Sequence, residues 1–402
     1  MTGVTDLSSM TSAAPPRGFD EAEFRARTER AQAQMAARGV DALLLTTEPE
    51  VRYFTGFLTQ FWESPTRPWY LVVPASGKPV AVIPAIGAEG MRGTWLDDIR
   101  TWAAPDPEDD GVSLLCQTLN EALGEAAGSE RRLGIVMGLE SHLRMPYSDF
   151  AEVLRRVDAQ VVDALPLLQA LRYVKSEAEI EKIRFVCELA SDAFRALPEK
   201  VAPGMTEREV CKQMHLDLLQ RGADQVPYLL GSSGHGSYNN IIMGPTDRVL
   251  GAGDVMIIDT GARFDGYFCD FDRNWAFGYA SDAAVRAYEV VYAATEAGFA
   301  AAKPGATTTD VYEAMWSVME AGGALGNDVG RLGHGLGMQL TEYPSNRPGD
   351  DTVLKAGVVL TLEPGMEFAP GQYMVHEENI VIRSHGAEWL SKRADPKLPV
   401  IA

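Results

Sequence analysis

Two strand-like stretches joined by a tight-turn sequence constrain the fold of this chain more than any other feature. The first stretch, VMIIDTGA, is apolar and carries Asp259, and the second carries Asp270 and Asp272. The sequence Phe-Asp-Gly at 264–266 between them is typical of a β-hairpin turn. A turn centred on the Phe-Asp pair puts Asp259 opposite Asp270, whereas a turn centred on the Asp-Gly pair puts it opposite Asp272. Because side chains alternate along a strand, Asp270 and Asp272 share one face in either register.

Acidic side chains crowded on one face of a hairpin repel one another unless a cation lies among them. Three further side chains at predicted strands or glycine-rich turns are suitable ligands: His334 in GHGLG, Glu363 in TLEPG and Glu377 in MVHEENIVI. With Asp259 and Asp270 they provide an imidazole and four carboxylates, whose charges balance two divalent cations. If only the hairpin is considered, the alternative to a metal site is that its aspartates lie on an exposed face in contact with solvent.

The composition limits the classes of protein to consider. The 402 residues are enough for two domains, and 46% hydrophobic against 23% charged residues is typical of a globular protein. The formal net charge of −20 argues against nucleic-acid and anionic-membrane partners. No apolar run reaches the roughly 18 residues needed to cross a bilayer. Residues 1–17 lack the apolar middle of a signal peptide, so we expect a cytoplasmic protein.

The order of predicted helices and strands divides the chain into segments. Residues 1–17, rich in Ser, Thr, Ala and Pro, predict a flexible arm. Alternating helices and strands predict an α/β domain over 18–165. The segment 170–402 opens with a helix that Ser176 and Glu179 mark as a capping box. Further helices and largely antiparallel strands follow, so the predicted class of this second domain is α+β.

The candidate ligands and their surroundings resemble one known group of enzymes. The stretches DTGARFDGYFCD, GHGLG, LEPG and EENIVI, in this order, are similar to those of the "pita-bread" metallohydrolases, which include creatinase, prolidase, aminopeptidase P and methionine aminopeptidase. VRYFTGF and LRYVKSEAEIEKIR extend the resemblance over nearly the whole chain. It implies a C-terminal pita-bread catalytic domain, a smaller creatinase-type N-terminal domain and a homodimer.

The resemblance also implies a role for each ligand. Asp259 would hold the first metal, His334 and Glu363 the second, and Asp270 and Glu377 both. Glu377 and Glu378 would point to opposite faces of a strand, and the apolar residues that begin three positions after Glu377 favour Glu377 as the ligand. The expected cofactors are two divalent metal ions, with manganese favoured over iron, cobalt or zinc because oxygen ligands dominate. A metal-bridging hydroxide would cleave an amide-type C–N bond in an Xaa-Pro-like dipeptide or a small amidic compound.

Two histidines that the peptidases of this family use are replaced. One should stand seven residues after His334, where this chain has Thr341, and the other should fall near Ile242. Neither replacement titrates near neutral pH. Creatinase shows that the scaffold also serves small substrates that are not peptides.

The remaining site predictions concern catalysis and substrate binding. The predicted catalytic side chains are Glu363, Glu342 and His235, and the predicted substrate contacts are Thr341, Tyr343, Asp272 and Trp62. His235 would replace one of the absent histidines. Asp272 would support the metals, bind a cationic substrate group or pair with Arg273. Trp62 would either reach the active site of a dimer partner or pack at a domain interface.

Two other functions are compatible with the same residues. The first is a lyase on the same metal frame, similar to a bacterial dimethylsulfoniopropionate lyase, in which a carboxylate abstracts a proton. The second is a metal-free homologue that only binds its ligand. Metal content and a substrate screen distinguish these alternatives from hydrolysis.

Overall fold

The computed structural model describes residues 13–65, 67–124, 130–326 and 330–402. The chain forms two units. The N-terminal unit is Arg17–Arg172, and the C-terminal unit is Tyr173–Ala402 together with the described residues before Arg17. The predicted arm at 1–17 falls largely outside the described residues. No helix in the described part of the chain is long and apolar enough to cross a membrane.

A six-stranded mixed sheet forms the centre of the N-terminal unit. Its strands are β1 (Ala42–Leu45), β2 (Tyr70–Pro74), β3 (Val80–Pro84), β4 (Ile99–Trp102), β5 (Arg132–Ile135) and β6 (Gln160–Asp163). The order is β4-β3-β2-β1-β5-β6, with antiparallel pairing at β1–β2 and β2–β3 and parallel pairing elsewhere in the sheet. All four residues of β1 are buried and apolar, as expected for a strand covered on both faces.

Helices accompany this sheet and complete an α/β domain, as predicted. They are α1 (Glu21–Arg38), α2 (Glu48–Thr55), α3 (Ala88–Arg92), α4 (Val112–Leu123), α5 (Tyr147–Arg156) and α6 (Leu165–Tyr173). Leu115 and Leu119 of α4 pack with Leu44 of β1 in one buried cluster. Because these leucines repeat at helical spacing, one face of α4 covers the sheet.

In the described part of the C-terminal unit, four α-helices accompany three β-sheets. The helices are α7 (Glu177–Ala196), α8 (Glu207–Gln220), α9 (Asp282–Ala301) and α10 (Thr308–Ala321). The strands are β7 (Gln225–His235), β8 (Asp254–Phe264), β9 (Tyr267–Phe268), β10 (Phe271–Phe277), β11 (His334–Gly335), β12 (Glu342–Ser345), β13 (Val359–Leu362), β14 (Gly365–Ala369), β15 (Gln372–Val375), β16 (Glu378–Arg383), β17 (Gly386–Trp389) and β18 (Val400–Ile401). The first sheet has the order β18-β10-β8-β7, with β9 beside β8. The second sheet has the order β12-β11-β13-β16-β17, and the third consists of β14 and β15.

The hairpin of β8 and β10 has the second of the two predicted registers. Asp272 lies opposite Asp259. The turn residues Asp265 and Gly266 both have positive φ, 47° and 84°, as the type I′ turn of a two-residue hairpin loop requires. Side-chain alternation therefore puts Asp259, Asp270 and Asp272 on one face of the hairpin.

Helix α7 anchors this hairpin through its first turns. Ser176 and Glu179 form the predicted capping box. The Glu179 carboxylate also accepts a hydrogen bond of 2.9 Å from the hydroxyl of Tyr267. One turn further along α7, Lys182 Nζ lies 2.7 Å from Asp265 Oδ2 in a buried ion pair. The helix therefore holds the turn that determines the register of β8 and β10.

A second sheet brings two more acids together. β13 and β16 pair antiparallel, with Leu362 opposite Glu378. Continuing the same register by one residue puts Glu363 opposite Glu377. Gly335 of β11 lies opposite Leu360 of β13, so His334 enters the same sheet beside these carboxylates.

Candidate metal centre

Three side chains from three different segments converge in the C-terminal unit. Asp270, His334 and Glu377 each offer a ligand atom, and these atoms all lie within 4.8 Å of one another. His334 Nε2 is 3.5 Å from Asp270 Oδ2. All three residues are buried. Two of the sheets of the C-terminal unit therefore bring together side chains spread over more than one hundred residues of the sequence, from Asp270 to Glu377.

Glycines on both sides of His334 allow its backbone to approach neighbouring strands closely. A Cβ at Gly333, where φ is 111°, would lie 2.3 Å from the carbonyl oxygen of Thr361. A Cβ at Gly335 would lie 2.3 Å from the carbonyl oxygen of Tyr343. The His334 amide donates to Thr361 Oγ1 at 3.1 Å. The sequence GHG is therefore a packing requirement of the sheet.

The hydrogen bonds of His334 determine its tautomer. Nδ1 lies 2.9 Å from the carbonyl oxygen of Gly335. Because a carbonyl oxygen only accepts hydrogen bonds, Nδ1 carries a proton, and in the neutral imidazole the lone pair is then on Nε2. That lone pair faces Asp270 Oδ2, which is also an acceptor. Two acceptors facing each other in a buried site are suited to a cation between them.

Asp270 is positioned by Asn379. The Asp270 amide donates to Asn379 Oδ1 at 2.9 Å, and Asn379 Nδ2 donates back to the carbonyl oxygen of Asp270. Asn379 is fully buried and lies on β16, two residues after Glu377. These two hydrogen bonds use only the backbone of Asp270. Its carboxylate takes no part in them and faces His334.

Asp259 is oriented by a tyrosine from β7. The hydroxyl of Tyr228 donates to Asp259 Oδ2 at 2.9 Å. Among the described residues, no hydrogen-bond donor reaches the buried atoms Asp259 Oδ1 and Glu377 Oε1. A buried carboxylate oxygen without a donor is costly unless a cation takes that place.

The pKa values of the acids report their mutual repulsion. Burial raises the pKa of Asp259 to about 6, and the hydrogen bond from Tyr228 opposes the rise. Burial and the charge of Asp259 raise the pKa of Glu363 to about 8. Burial, and then the charges of Asp259 and Glu363, hold the pKa of Asp270 well above its usual range. Burial and the charge of Asp270 do the same for Glu377. These carboxylates therefore share one low-dielectric site, in which burial and mutual repulsion outweigh the opposing charge of Arg331.

The residues present fit a divalent cation. The donors are carboxylate oxygens and one imidazole nitrogen with its lone pair directed inward, which suits a borderline to hard ion. The unpartnered oxygens of Asp259 and Glu377 are the ones that a cation would satisfy. The assignment of all five side chains as ligands stays a prediction.

Glu378 has different surroundings from its neighbour Glu377. Its carboxylate is fully buried and forms ion pairs of 3.0 Å with Arg273 and 2.9 Å with Arg393. These cations hold the pKa of Glu378 below its usual value, although burial alone would raise it. Adjacent residues of one strand thus point to opposite faces, with only Glu377 beside Asp270.

A cavity opens beside the carboxylates. Its volume is about 300 Å³, and it is lined by Glu363, Arg331, Leu332, Ile241, Ile242 and Val375, among others. The positive charge of Arg331 lowers the pKa of both Asp270 and Glu363 and so acts at this edge of the cluster. No histidine lines the described part of the cavity. Ile242 occupies the region where the resemblance places one of the absent histidines.

Glu342 is held by the protein itself. Its Oε2 lies 3.1 Å from Lys175 Nζ, and both side chains are buried. Its Oε1 accepts a hydrogen bond of 3.0 Å from the Gln339 amide. Tyr343 next to it has its hydroxyl within hydrogen-bond distance of Thr352 Oγ1. These contacts indicate that Glu342 and Tyr343 hold the glycine-rich turn, and they do not support the predicted catalytic role of Glu342.

Three other predicted residues are not brought to the cluster by any described contact. His235 pairs with Asp254, five residues before Asp259 on β8, which is roughly 16 Å along the strand. Its side chain is 73% exposed, so this position does not support the predicted catalytic role. Thr341 is half-buried at the end of the glycine-rich turn. Trp62 belongs to the N-terminal unit, where its ring lies 6.2 Å from that of Trp69.

Four residues around the site were not predicted from the sequence. Tyr228, Asn379, Arg331 and Lys175 each act on a candidate ligand or on the turn that carries one. Lys175 belongs to the quoted stretch LRYVKSEAEIEKIR, where it had no assigned role, and Arg331 lies two residues before the stretch GHGLG, outside the quoted motifs. Tyr228 carried no sequence signal, because its partner is 31 residues away on another strand.

Comparisons with known proteins identify the family of this chain. The model of metallopeptidase family M24 matches residues 181–384, and the model of the creatinase/prolidase N-terminal domain matches residues 27–174. The probable dipeptidase PepE of Mycobacterium tuberculosis is 28% identical over 369 residues, which cover 91% of this chain and 93% of that protein. An Xaa-Pro dipeptidase of Lactobacillus delbrueckii is 27% identical and covers 85% of this chain and 90% of its own length.

Solved structures show the same fold. The crystal structure of dipeptidase PepE from Mycobacterium ulcerans has a TM-score of 0.82 at 26% identity and covers 95% of this chain and 99% of its own. Prolidase from Thermococcus sibiricus has a TM-score of 0.84 at 24% identity and covers 95% of this chain and 100% of its own. Because the identity is this low, the likeness shows the fold alone. The predicted pita-bread catalytic domain with a creatinase-type N-terminal domain is confirmed. The chain belongs to metallopeptidase family M24, and it is a metallohydrolase.

Proposed function

We propose that this protein hydrolyses an amide-type C–N bond of a dipeptide or a small amidic compound, using two divalent metal ions. The observation that carries the proposal is the buried group of Asp270, His334 and Glu377, together with a cavity of about 300 Å³ that Glu363 lines. The relatives named dipeptidase and Xaa-Pro dipeptidase support the bond type.

The chain's own residues have separate tasks in this proposal. Asp259, Asp270, His334, Glu363 and Glu377 would hold the two cations, with manganese favoured by the excess of oxygen donors. When bound, two divalent ions supply an activated water near neutral pH and polarise the scissile carbonyl. Tyr228 orients Asp259, and Asn379 holds the backbone of Asp270, so the carboxylates need no rearrangement when a cation binds.

The cavity limits the size and the chemistry of the substrate. A volume of about 300 Å³ is at the lower end of the range for ligand sites, which suits a molecule of dipeptide size. Ile241, Leu332 and Val375 line it with apolar surface, and Arg331 adds a positive charge. An amide with a compact apolar group and an anionic end matches these properties. Thr341 and Tyr343 remain proposed contacts at the glycine-rich turn.

A metal assay followed by a substrate screen tests the proposal. Protein stripped with a chelator and reloaded with Mn²⁺ should bind two equivalents and hydrolyse at least one Xaa-Pro dipeptide or small amide. The same protein kept metal-free is the control and should be inactive. Elimination from sulfonium or betaine compounds without amide hydrolysis would instead establish the lyase. Binding of fewer than one equivalent without turnover would indicate the binding homologue.

A further inference from the structure

Asp272 brings one more carboxylate to the candidate metal centre. It lies directly opposite Asp259 in the hairpin and, by side-chain alternation, on the same face as Asp270. Its side chain is 1% exposed. A carboxylate buried to this extent normally has a cation or several hydrogen-bond donors around it.

The described surroundings of Asp272 supply little of that compensation. Its carboxylate accepts one hydrogen bond in the described part of the chain, from Asn274 Nδ2 at 3.3 Å. The same Asn274 nitrogen donates at the shorter distance of 2.7 Å to the carbonyl oxygen of Val375. Asn274 Oδ1 accepts from the Tyr238 hydroxyl at 2.9 Å. Asn274 is therefore held mainly by other groups, and its bond to Asp272 is a weak one.

The neighbouring Arg273 points to the opposite face. Its guanidinium binds Glu378 at 3.0 Å and the carbonyl oxygen of Glu377 at 3.0 Å. It also donates to the backbone carbonyl of Asp272, but no ion pair reaches the Asp272 carboxylate from a described residue. The two side chains therefore form no salt bridge, one of the alternatives from the sequence, although the charge of Arg273 opposes the rise in the pKa of Asp272 that burial and Asp259 cause.

The charge of Asp272 acts on the candidate ligands in both directions. Burial, and next the charge of Asp259, hold the pKa of Asp272 well above its usual range. The charge of Asp272 in turn contributes to the raised pKa of Asp270 and of Glu377. Asp272 belongs to this acidic face by its position opposite Asp259, although it lies outside the three residues whose ligand atoms are within 4.8 Å of one another.

We propose that Asp272 is an additional anionic group of the metal centre that strengthens cation binding and, by the same charge, destabilises the metal-free protein. The inference rests on the metal centre of the proposed function. In a buried site the attraction of a nearby carboxylate for a divalent cation is large, because the effective dielectric is far below that of water. Without the cation, the same charge only repels Asp259 and Asp270.

The isosteric substitution Asp272→Asn separates this role from a packing role. We expect the affinity of the metal-free protein for Mn²⁺, measured by isothermal titration calorimetry, to fall by roughly tenfold to a hundredfold. We also expect the melting temperature of the metal-free protein to rise by about 2–4 °C, because one buried negative charge is removed. The Mn²⁺ affinity is thus expected to fall while the melting temperature of the metal-free protein rises. A residue needed only for packing would lower the melting temperature and leave the Mn²⁺ affinity unchanged.

Asp217→Asn is a matched control in the same unit. Asp217 is a buried aspartate of α8 that pairs with Lys200. This variant should melt at a lower temperature and bind Mn²⁺ as the wild type does. Unchanged Mn²⁺ affinity in Asp272→Asn, or a lower melting temperature of its metal-free form, would overturn the inference. If the wild type binds two equivalents, such a result concerns Asp272 alone, whereas a wild type that binds no Mn²⁺ removes the proposed function as well.

Discussion

At the scale of single residues, the side chains of the candidate centre present buried acceptor atoms that a cation would satisfy. His334 Nδ1 faces the carbonyl oxygen of Gly335, so the neutral imidazole presents its Nε2 lone pair to Asp270 Oδ2 at 3.5 Å. Asp259 and Glu377 each have a buried oxygen without a donor among the described residues. These properties cost stability in the metal-free protein, and binding of a divalent cation reverses each of them.

The substitution Asp270→Ala should abolish activity and leave the protein folded. It removes one of three converging ligands and also relieves the repulsion that raises the pKa values of its neighbours. The loss of kcat/KM should exceed about a hundredfold, the loss typical of outer-shell partners of a metal. Activity, bound metal and the circular dichroism spectrum are the measurements. The exposed Asp351→Asn serves as control, and retained turnover in Asp270→Ala would refute the assignment of the site.

The metal-free protein should lose stability as the pH rises. Asp259 and Glu363 have pKa values raised to about 6 and about 8 by burial. A carboxyl group with a raised folded-state pKa stabilises the protein fully below its unfolded-state pKa of about 4, and this contribution is lost as the pH rises through the folded-state value. Urea unfolding of the metal-free protein between about pH 5 and pH 8 should therefore show a falling free energy of unfolding. Excess Mn²⁺ should reverse the trend, and a metal-free protein that gains stability over this range would contradict the prediction.

At the scale of elements, the position of each ligand depends on a turn or a strand pairing. The hairpin turn at Asp265 and Gly266 determines that Asp272, and not Asp270, faces Asp259. The glycine-rich turn that contains His334 is anchored at its other end by the pair of Lys175 and Glu342. Rigid placement by such elements is what allows like charges to remain close together.

Gly333→Ala should displace His334 and weaken metal binding. The new Cβ would lie 2.3 Å from the Thr361 carbonyl oxygen, at a position whose φ is 111°. Backbone strain of this kind costs about 1–3 kcal/mol before the clash is added. Gly330→Ala is the matched control, because Gly330 also has a positive φ of 85° but nothing lies within 4 Å of its added Cβ. Mn²⁺ affinity should fall clearly in the first variant and little in the second, and equal effects would show that the clash is unimportant.

Lys175→Met tests whether Glu342 is structural or catalytic. It leaves a buried carboxylate without its cation, which typically costs about 3–5 kcal/mol of stability. The double variant Lys175→Met with Glu342→Leu should regain most of that stability, because no charge is left unpaired. If Glu342 only holds the turn, the double variant should also regain turnover. A double variant that is stable and binds Mn²⁺ but has no turnover would support the catalytic role of Glu342 predicted from the sequence.

At the scale of the whole molecule, the chain combines a creatinase/prolidase N-terminal domain with an M24 domain in two units. The formal net charge of −20 disfavours nucleic acid as a partner. The cytoplasmic location, the homodimer and the role of Trp62 stay predictions.

Light scattering of the purified protein should give the mass of a dimer. The variant Trp62→Ala then tests whether this residue serves a neighbouring active site. We expect it to raise KM by about tenfold, the effect of about 1.4 kcal/mol of lost binding, with the dimer retained. Phe61→Ala is a suitable control, because Phe61 is the exposed neighbour of Trp62 in the short 3-10 helix Gln60–Glu63. A monomer with full activity would contradict the homodimer prediction and the placement of Trp62 together.

Local rules were enough to derive part of the site from the sequence. The alternation of side chains placed Asp270 and Asp272 on one face, and the capping box at Ser176 and Glu179 marked the start of α7. The same alternation separated Glu377 from Glu378, which the structure places against different partners. Such features depend on a few neighbouring residues, and the chain's periodicity determines them.

Only the tertiary structure decided how distant segments align and which partners they provide. Both registers of the hairpin satisfied the sequence pattern, and the turn geometry selected the one with Asp272 opposite Asp259. Lys175 pairs with Glu342 across 167 residues, and Tyr228 reaches Asp259 from another strand. The physical reason is that periodicity determines the face on which a side chain lies, whereas long-range packing determines what that face meets.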